Sequence, residues 1–189
     1  MNLAFLARFE EVIALDPDPL AKQIFSSRLK VQFLGSRPPR LHWEEADLLG
    51  SGDVSELGRL LAEQTTRPAI LFCNVLGQLR FLVKESSEGA VFERLRNTLP
   101  ALLEGRSWAS FHDRVSGIVR PGFSQPFFSD HRLSDQELLD QFYEMKPGER
   151  GELHDHLTEG LFRPHVPHTY FHWQIKQGWH HLIEAVRSP

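Results

Sequence analysis

The run VIALDPDPLA, Val12 to Ala21, is a strand that ends on an acidic residue and turns at once into a helix. Val12 to Asp16 is short and almost wholly apolar, as expected of a strand covered on both faces. Asp18 stands where an N-cap accepts otherwise unpaired backbone N–H groups, and Pro19 fills the first helical position, where its missing N–H costs nothing. The helix is expected to reach about Arg28.

The same order returns along the chain. Asp53 is expected to cap SELGRLLAEQ, whose Leu57, Leu60 and Leu61 form one apolar stripe. PAILFCN, Pro68 to Asn74, reads as a second buried strand, followed by a helix around Val91 to Leu103 that Pro100 should split or kink. Arg40 to Trp43 and Trp108 to Asp113 read as further strands. Asn2 to Phe9 reads as the end of a helix, with Leu3, Leu6 and Phe9 on one side. Ser134 and Glu137 make a capping box for DQELLDQFYEM. Thr169 to Ile175 and His180 to Val186, joined around Gln177 and Gly178, form an antiparallel hairpin. Strands alternating with helices predict an α/β fold: a mostly parallel sheet with flanking helices, closed by a C-terminal antiparallel hairpin. With 189 residues, one domain spanning 1–189 is expected, in which 120–167 is a helical and loop insertion before the hairpin.

Charge and cysteine usage narrow the function classes. A formal net charge of -4 argues against a nucleic-acid binder, because phosphate neutralisation needs a concentrated basic face. The one short basic cluster, Ser36 to Arg40, reads as a surface loop. Cys73 is the single cysteine and lies in an apolar run, so it is expected in the core, and neither a disulfide framework nor a repeated CxxC site is available. A reducing cytoplasm suits this usage. No apolar run approaches the roughly 20 residues of a membrane span, and the first residues lack the pattern of a signal peptide.

The elements in this order, with the stretches VIALDPDPLA, EEADLL and ILFCNVLGQL, resemble the class I S-adenosylmethionine-dependent methyltransferases, entered at that family's second strand. The resemblance implies a Rossmann-like sheet and S-adenosylmethionine as cofactor. It implies that Asp16 accepts hydrogen bonds from the cofactor ribose, that Asp47 lies near the adenine amino group, and that Asn74 marks the methyl-transfer edge. His112 and Asp113 end the next strand near the same edge. An adjacent histidine and carboxylate could act as a general base pair, but strand neighbours point to opposite faces, so one of the two is the candidate. The methyl acceptor, a small molecule or a protein, is not readable.

The family's first strand and Gly-rich loop have no counterpart before Asn2, so the sheet is N-terminally incomplete at its centre. Three arrangements would answer this: the protein begins upstream, the flanking strands at Val12–Asp16 and Ala69–Cys73 pair directly, or a partner chain supplies the strand. The chain is then an enzyme or its remnant, or a non-catalytic scaffold that binds a protein partner.

Other constellations are weaker. His168, Tyr170 and His172 share a strand face, which either lines a pocket or packs. Ten histidines raise the question of a metal. On a helix through GELHDHLTEG, His154 and His156 would diverge by about 200°, and His168 and His172 on a strand lie about 13 Å apart; no metal site is expected. GFSQP, Gly122 to Pro126, lacks the second glycine of a nucleophile elbow.

Overall fold

Asp18 accepts a hydrogen bond from the Leu20 N–H at 2.9 Å, and Pro19 opens α1 (Pro19–Gln32), about one turn longer than the sequence predicts. The computed structural model describes residues 3–47, 49–64, 66–143 and 153–188. The expectations that touch Asn2, Met145, Gly151 and Glu152 lie outside them. The chain divides into two compact units, Met1–Leu48 and Leu49–Pro189.

In the first unit, β1 (Glu11–Leu15) pairs in parallel with β2 (Arg40–Glu44), in register from Glu11 opposite Arg40 to Leu15 opposite Glu44. The expected helix end is a single 3-10 turn, Ala4–Arg8. Leu3 and Leu6 are buried with Leu29 and Phe33, whereas Phe9, already in extended backbone after the turn, is exposed. β1 is half-buried rather than covered on both faces.

The second unit holds a six-stranded sheet built from β3 (Ile70–Cys73), β4 (Trp108–Gly117), β5 (Phe127–Ser129), β6 (Leu153–Asp155), β7 (His168–Lys176) and β8 (Trp179–Arg187). Its order is β3-β4-β8-β7-β5, with β6 also paired to β4. α2 (Ser55–Ala62) has Val54 at its N-cap, so Asp53 lies one residue earlier than expected and accepts from the Ser55 N–H at 2.9 Å. Among the described residues of this sheet only β3 and β4 run parallel, carried over by α3 (Val75–Leu82) and α4 (Glu88–Leu102); its other pairings are antiparallel. The sheet is therefore mostly antiparallel, not mostly parallel as expected, because β8 returns between β4 and β7. The C-terminal hairpin is formed as expected, turning at Gly178 with φ 71°.

β3 lies at the end of this order. Only Phe72 is buried in it, and Leu71 and Cys73 are exposed, so Cys73 is not a core residue. Among the described residues β1 pairs with β2 and β3 pairs with β4. α4 runs unbroken through Pro100, which falls in its last turn, where few intrahelical bonds remain to be lost. Within the stretch expected to be helical, Leu153–Asp155 instead form a strand against β4.

One face of the sheet packs Val115, Tyr170 and Leu182 against Leu133 and against Leu138 and Phe142 of α5 (Asp135–Phe142). Ser134 and Glu137 complete the capping box at the start of α5. Ser134→Ala is expected to cost about 1 kcal/mol, read as a lower urea midpoint at unchanged slope. The β4–β8 register slips between Asp113 and Val115, leaving Arg114 as an extra residue in a β-bulge.

Candidate functional site

The bulge decides what β4 presents on each side. Paired residues share a face, so Asp113 (opposite Ile183) and Ser116 (opposite His181) lie on one face, while His112 (opposite Glu184) and Val115 (opposite Leu182) lie on the other. Without the extra residue, the odd spacing of Asp113 and Ser116 would separate them.

Asn74 begins the first face. It follows β3 directly, adopts the left-handed conformation (φ 58°, ψ 9°) that asparagine tolerates better than most residues, and precedes α3. Its N–H extends the parallel ladder by donating to the Phe111 carbonyl at 2.8 Å. Its side chain then grips Asp113 twice: Oδ1 accepts from the Asp113 N–H at 3.0 Å, and Nδ2 donates to Asp113 Oδ2 at 3.0 Å. One turn along α3, Gln78 Nε2 donates to the same oxygen at 3.2 Å. Gly77 makes the approach feasible, since a Cβ there would lie 2.6 Å from both Asn74 Oδ1 and the Asp113 nitrogen.

Asp113 Oδ1 accepts from His181 Nδ1 at 3.0 Å. Burial alone would raise the Asp113 pKa, but the hydrogen bonds from His181 and Asn74 and the nearby histidines hold it below the ordinary value. His156 completes the group. Its Nδ1 donates to the Gly77 carbonyl at 2.6 Å, which leaves the lone pair on Nε2, where the Ser116 hydroxyl donates at 2.8 Å. Burial lowers the His156 pKa, favouring the neutral ring.

The opposite face carries a second buried network centred on Glu184. Its Oε1 accepts from His168 Nδ1 at 2.8 Å and from the Tyr170 hydroxyl at 2.7 Å. Its Oε2 accepts from His112 Nε2 at 3.0 Å and from Arg114 Nη1 at 3.1 Å. Arg114 also pairs with Asp135, and Ser110 meets His112 Nδ1 at 3.0 Å. His112, Arg114, His168, Tyr170 and Glu184 are all buried, so this network is an internal brace.

The structure thus brings Asn74 and Asp113 together and takes His112 away from them, so His112 and Asp113 do not form one acid–base unit. His168 and Tyr170 are core residues rather than a pocket lining, and His172 Nε2 meets His180 Nδ1 at 2.8 Å. Asp16 and Asp47 belong to the first unit. Asp16 directly follows β1, with Oδ1 accepting from the Asp18 N–H at 2.8 Å; Asp47 is exposed beyond β2.

Sequence reasoning missed Gln78, Ser116, His156 and His181. Gln78 was available as the residue one helical turn beyond Asn74, and the HH pair opening the last strand sends one histidine to each face. For His156, no local pattern distinguished it from His154. Compared with protein-family models, curated proteins and solved structures, the chain has no match.

Proposed function

We propose that this chain is a Rossmann-like, class I methyltransferase-type protein that binds S-adenosylmethionine, with Asn74 at its reacting edge and a small molecule or protein as methyl acceptor. One observation carries the reading: Asn74 leaves the carboxyl end of a parallel strand in left-handed backbone and is clamped to Asp113 on the neighbouring strand. Open α/β sheets bind ligands at the carboxyl ends of their parallel strands. One further feature supports it: β8 runs antiparallel beside β4.

The residues suit the cofactor's chemistry. A carboxamide offers two N–H groups and two lone pairs; Asp113 takes one of each from Asn74, so one of each remains for a ligand. S-adenosylmethionine supplies an electrophilic methyl group, and its transfer depends on alignment more than on a strong acid or base. Asn74, with its side chain held on both sides, is a positioning group of that kind.

A second reading is a non-catalytic scaffold that accepts a strand from a protein partner. It is favoured by β3, a sheet-edge strand with Leu71 and Cys73 exposed. Isothermal titration with S-adenosylmethionine and its demethylated product separates the two. Saturable binding, weakened at least tenfold by Asn74→Ala in a variant that remains folded by circular dichroism, is the expected result. A folded wild-type chain that gives no heat at millimolar ligand overturns the enzyme reading.

A further inference from the structure

Asp113, His156 and His181 are buried together, and one potential ligand atom from each lies within 4.8 Å of the others. From this geometry we infer that the three residues form a binding site for one divalent transition-metal ion of the zinc type. The inference does not depend on the methyltransferase reading.

The donor set is the first argument. Two imidazoles and a carboxylate suit zinc and its first-row neighbours, and three protein ligands leave a position open. Asp113 Oδ1 and His181 Nδ1 are 3.0 Å apart, close to the roughly 3.3 Å between neighbouring ligands around a tetrahedral ion with bonds of about 2.0 to 2.1 Å. An ion between them takes the place of the proton on Nδ1, which moves to Nε2 of the same ring or, from a doubly protonated ring, to solvent, so that His181 binds as neutral imidazole. The third ligand atom comes from His156, whose lone pair lies on Nε2; the Ser116 hydroxyl now donates there and would yield it to the ion.

The outer partners are the second argument. Metal-bound histidine usually donates its other N–H to a carbonyl or carboxylate, and bound carboxylates are themselves hydrogen-bonded. His156 Nδ1 donates to the Gly77 carbonyl, while Asp113 Oδ2 is held by Asn74 Nδ2 and Gln78 Nε2, leaving Oδ1 for the ion. These supports come from α3 and from Asn74 just before it, whereas the ligands come from β4, β8 and the residue after β6. The bulge at Arg114 turns Asp113 onto the same face as Ser116 and His181.

The half-buried pair His172 and His180 is the competing place for an ion on this chain. The experiment uses the intact chain, freed of metal by a chelator and titrated with Zn2+ against a chromophoric competitor, with Co2+ absorption recorded in parallel. One equivalent should bind, Co2+ should give ligand-field bands, and the ring-nitrogen NMR signals of His156 and His181 should move in the wild-type chain. Gln78→Ala, which keeps all three ligands, should weaken Zn2+ about tenfold or more, and His156→Gln should weaken it further. His172→Ala should leave the affinity unchanged.

Three results would overturn the site. They are no binding by a folded chain, metal-induced shifts confined to His172 and His180, and an affinity insensitive to both Gln78→Ala and His156→Gln. The ring-nitrogen spectra need no variant, so a failure of His156→Gln to fold does not spoil the test.

Discussion

Glu184→Gln is expected to lower folding stability by about 3 to 5 kcal/mol, the usual cost of removing one partner of a buried charge network. Four donors converge on two oxygens: His168 and Tyr170 on Oε1, His112 and Arg114 on Oε2. Glutamine keeps the shape but turns one oxygen into an NH2 group. Whichever oxygen is replaced, two donors then face a third, and flipping the amide only changes which two. Arg114, fully buried, also loses one of the two carboxylates it pairs with directly and keeps Asp135. The size-matched substitution thus removes an acceptor and a charge at once, and the measurement is urea unfolding at neutral pH.

The same variant should alter the response to acid. Burial alone would raise the Glu184 pKa, but the Arg114 charge and hydrogen bonds from His112 and His168 hold it well below the ordinary 4.5. A depressed folded-state pKa contributes stability that is complete above the ordinary value and is lost as pH falls below it, toward the folded pKa. Wild-type stability should therefore drop as pH falls below about 4.5, and the glutamine variant should drop less steeply. Asp113, whose pKa is also held down, leaves a residual slope in the variant. A variant with the wild-type slope would show that Glu184 does not carry this charge.

Gly77→Ala is the second large effect. The added Cβ would sit 2.6 Å from the Asp113 backbone nitrogen and 2.6 Å from Asn74 Oδ1, both well inside contact distance. Backbone on a central strand cannot swing aside as a long side chain can, so α3 must lift from β4. Overpacking of this kind costs roughly 1 to 3 kcal/mol, and the rigid neighbour puts this case at the upper end. The hydrogen bonds between Asn74 and Asp113 should stretch as well, shifting the Asn74 side-chain amide signals in NMR. Gly89→Ala is the control: the added Cβ meets nothing within 4 Å, and the residue lies in α4, so it should be neutral or slightly stabilising.

The features that could be read from the sequence are those whose cause is local. Asp18 with Pro19, the Ser134–Glu137 box and the hairpin turning at Gly178 are each specified within a few residues. Asn74 was legible for a similar reason, as a polar stop on an apolar run. What escaped depends on pairing across long stretches. The position of β8 between β4 and β7 is set by contacts no local pattern encodes, so the sheet was expected to be mostly parallel. α3 was missed because it starts immediately after Asn74, with apolar residues that read as more of the strand and with Gly77 in its middle. The metal question was put to His154 with His156 and to His168 with His172, whereas the proposed site joins other residues. The partner of His156 is His181, which reaches it only through the β4–β8 register and its slip.

That slip makes β4 a matter of parity. A regular strand sorts its side chains into odd and even, and here Arg114 resets the count part-way. Asp113 and Ser116, one odd and one even, work on the same side, while Val115 shares the other side with His112. Two incompatible interiors, one arranged around a carboxylate with two imidazoles and one around Glu184 and Arg114, are therefore kept apart by one additional residue. Deleting one residue between Asp113 and Ser116 would send those two side chains to opposite faces.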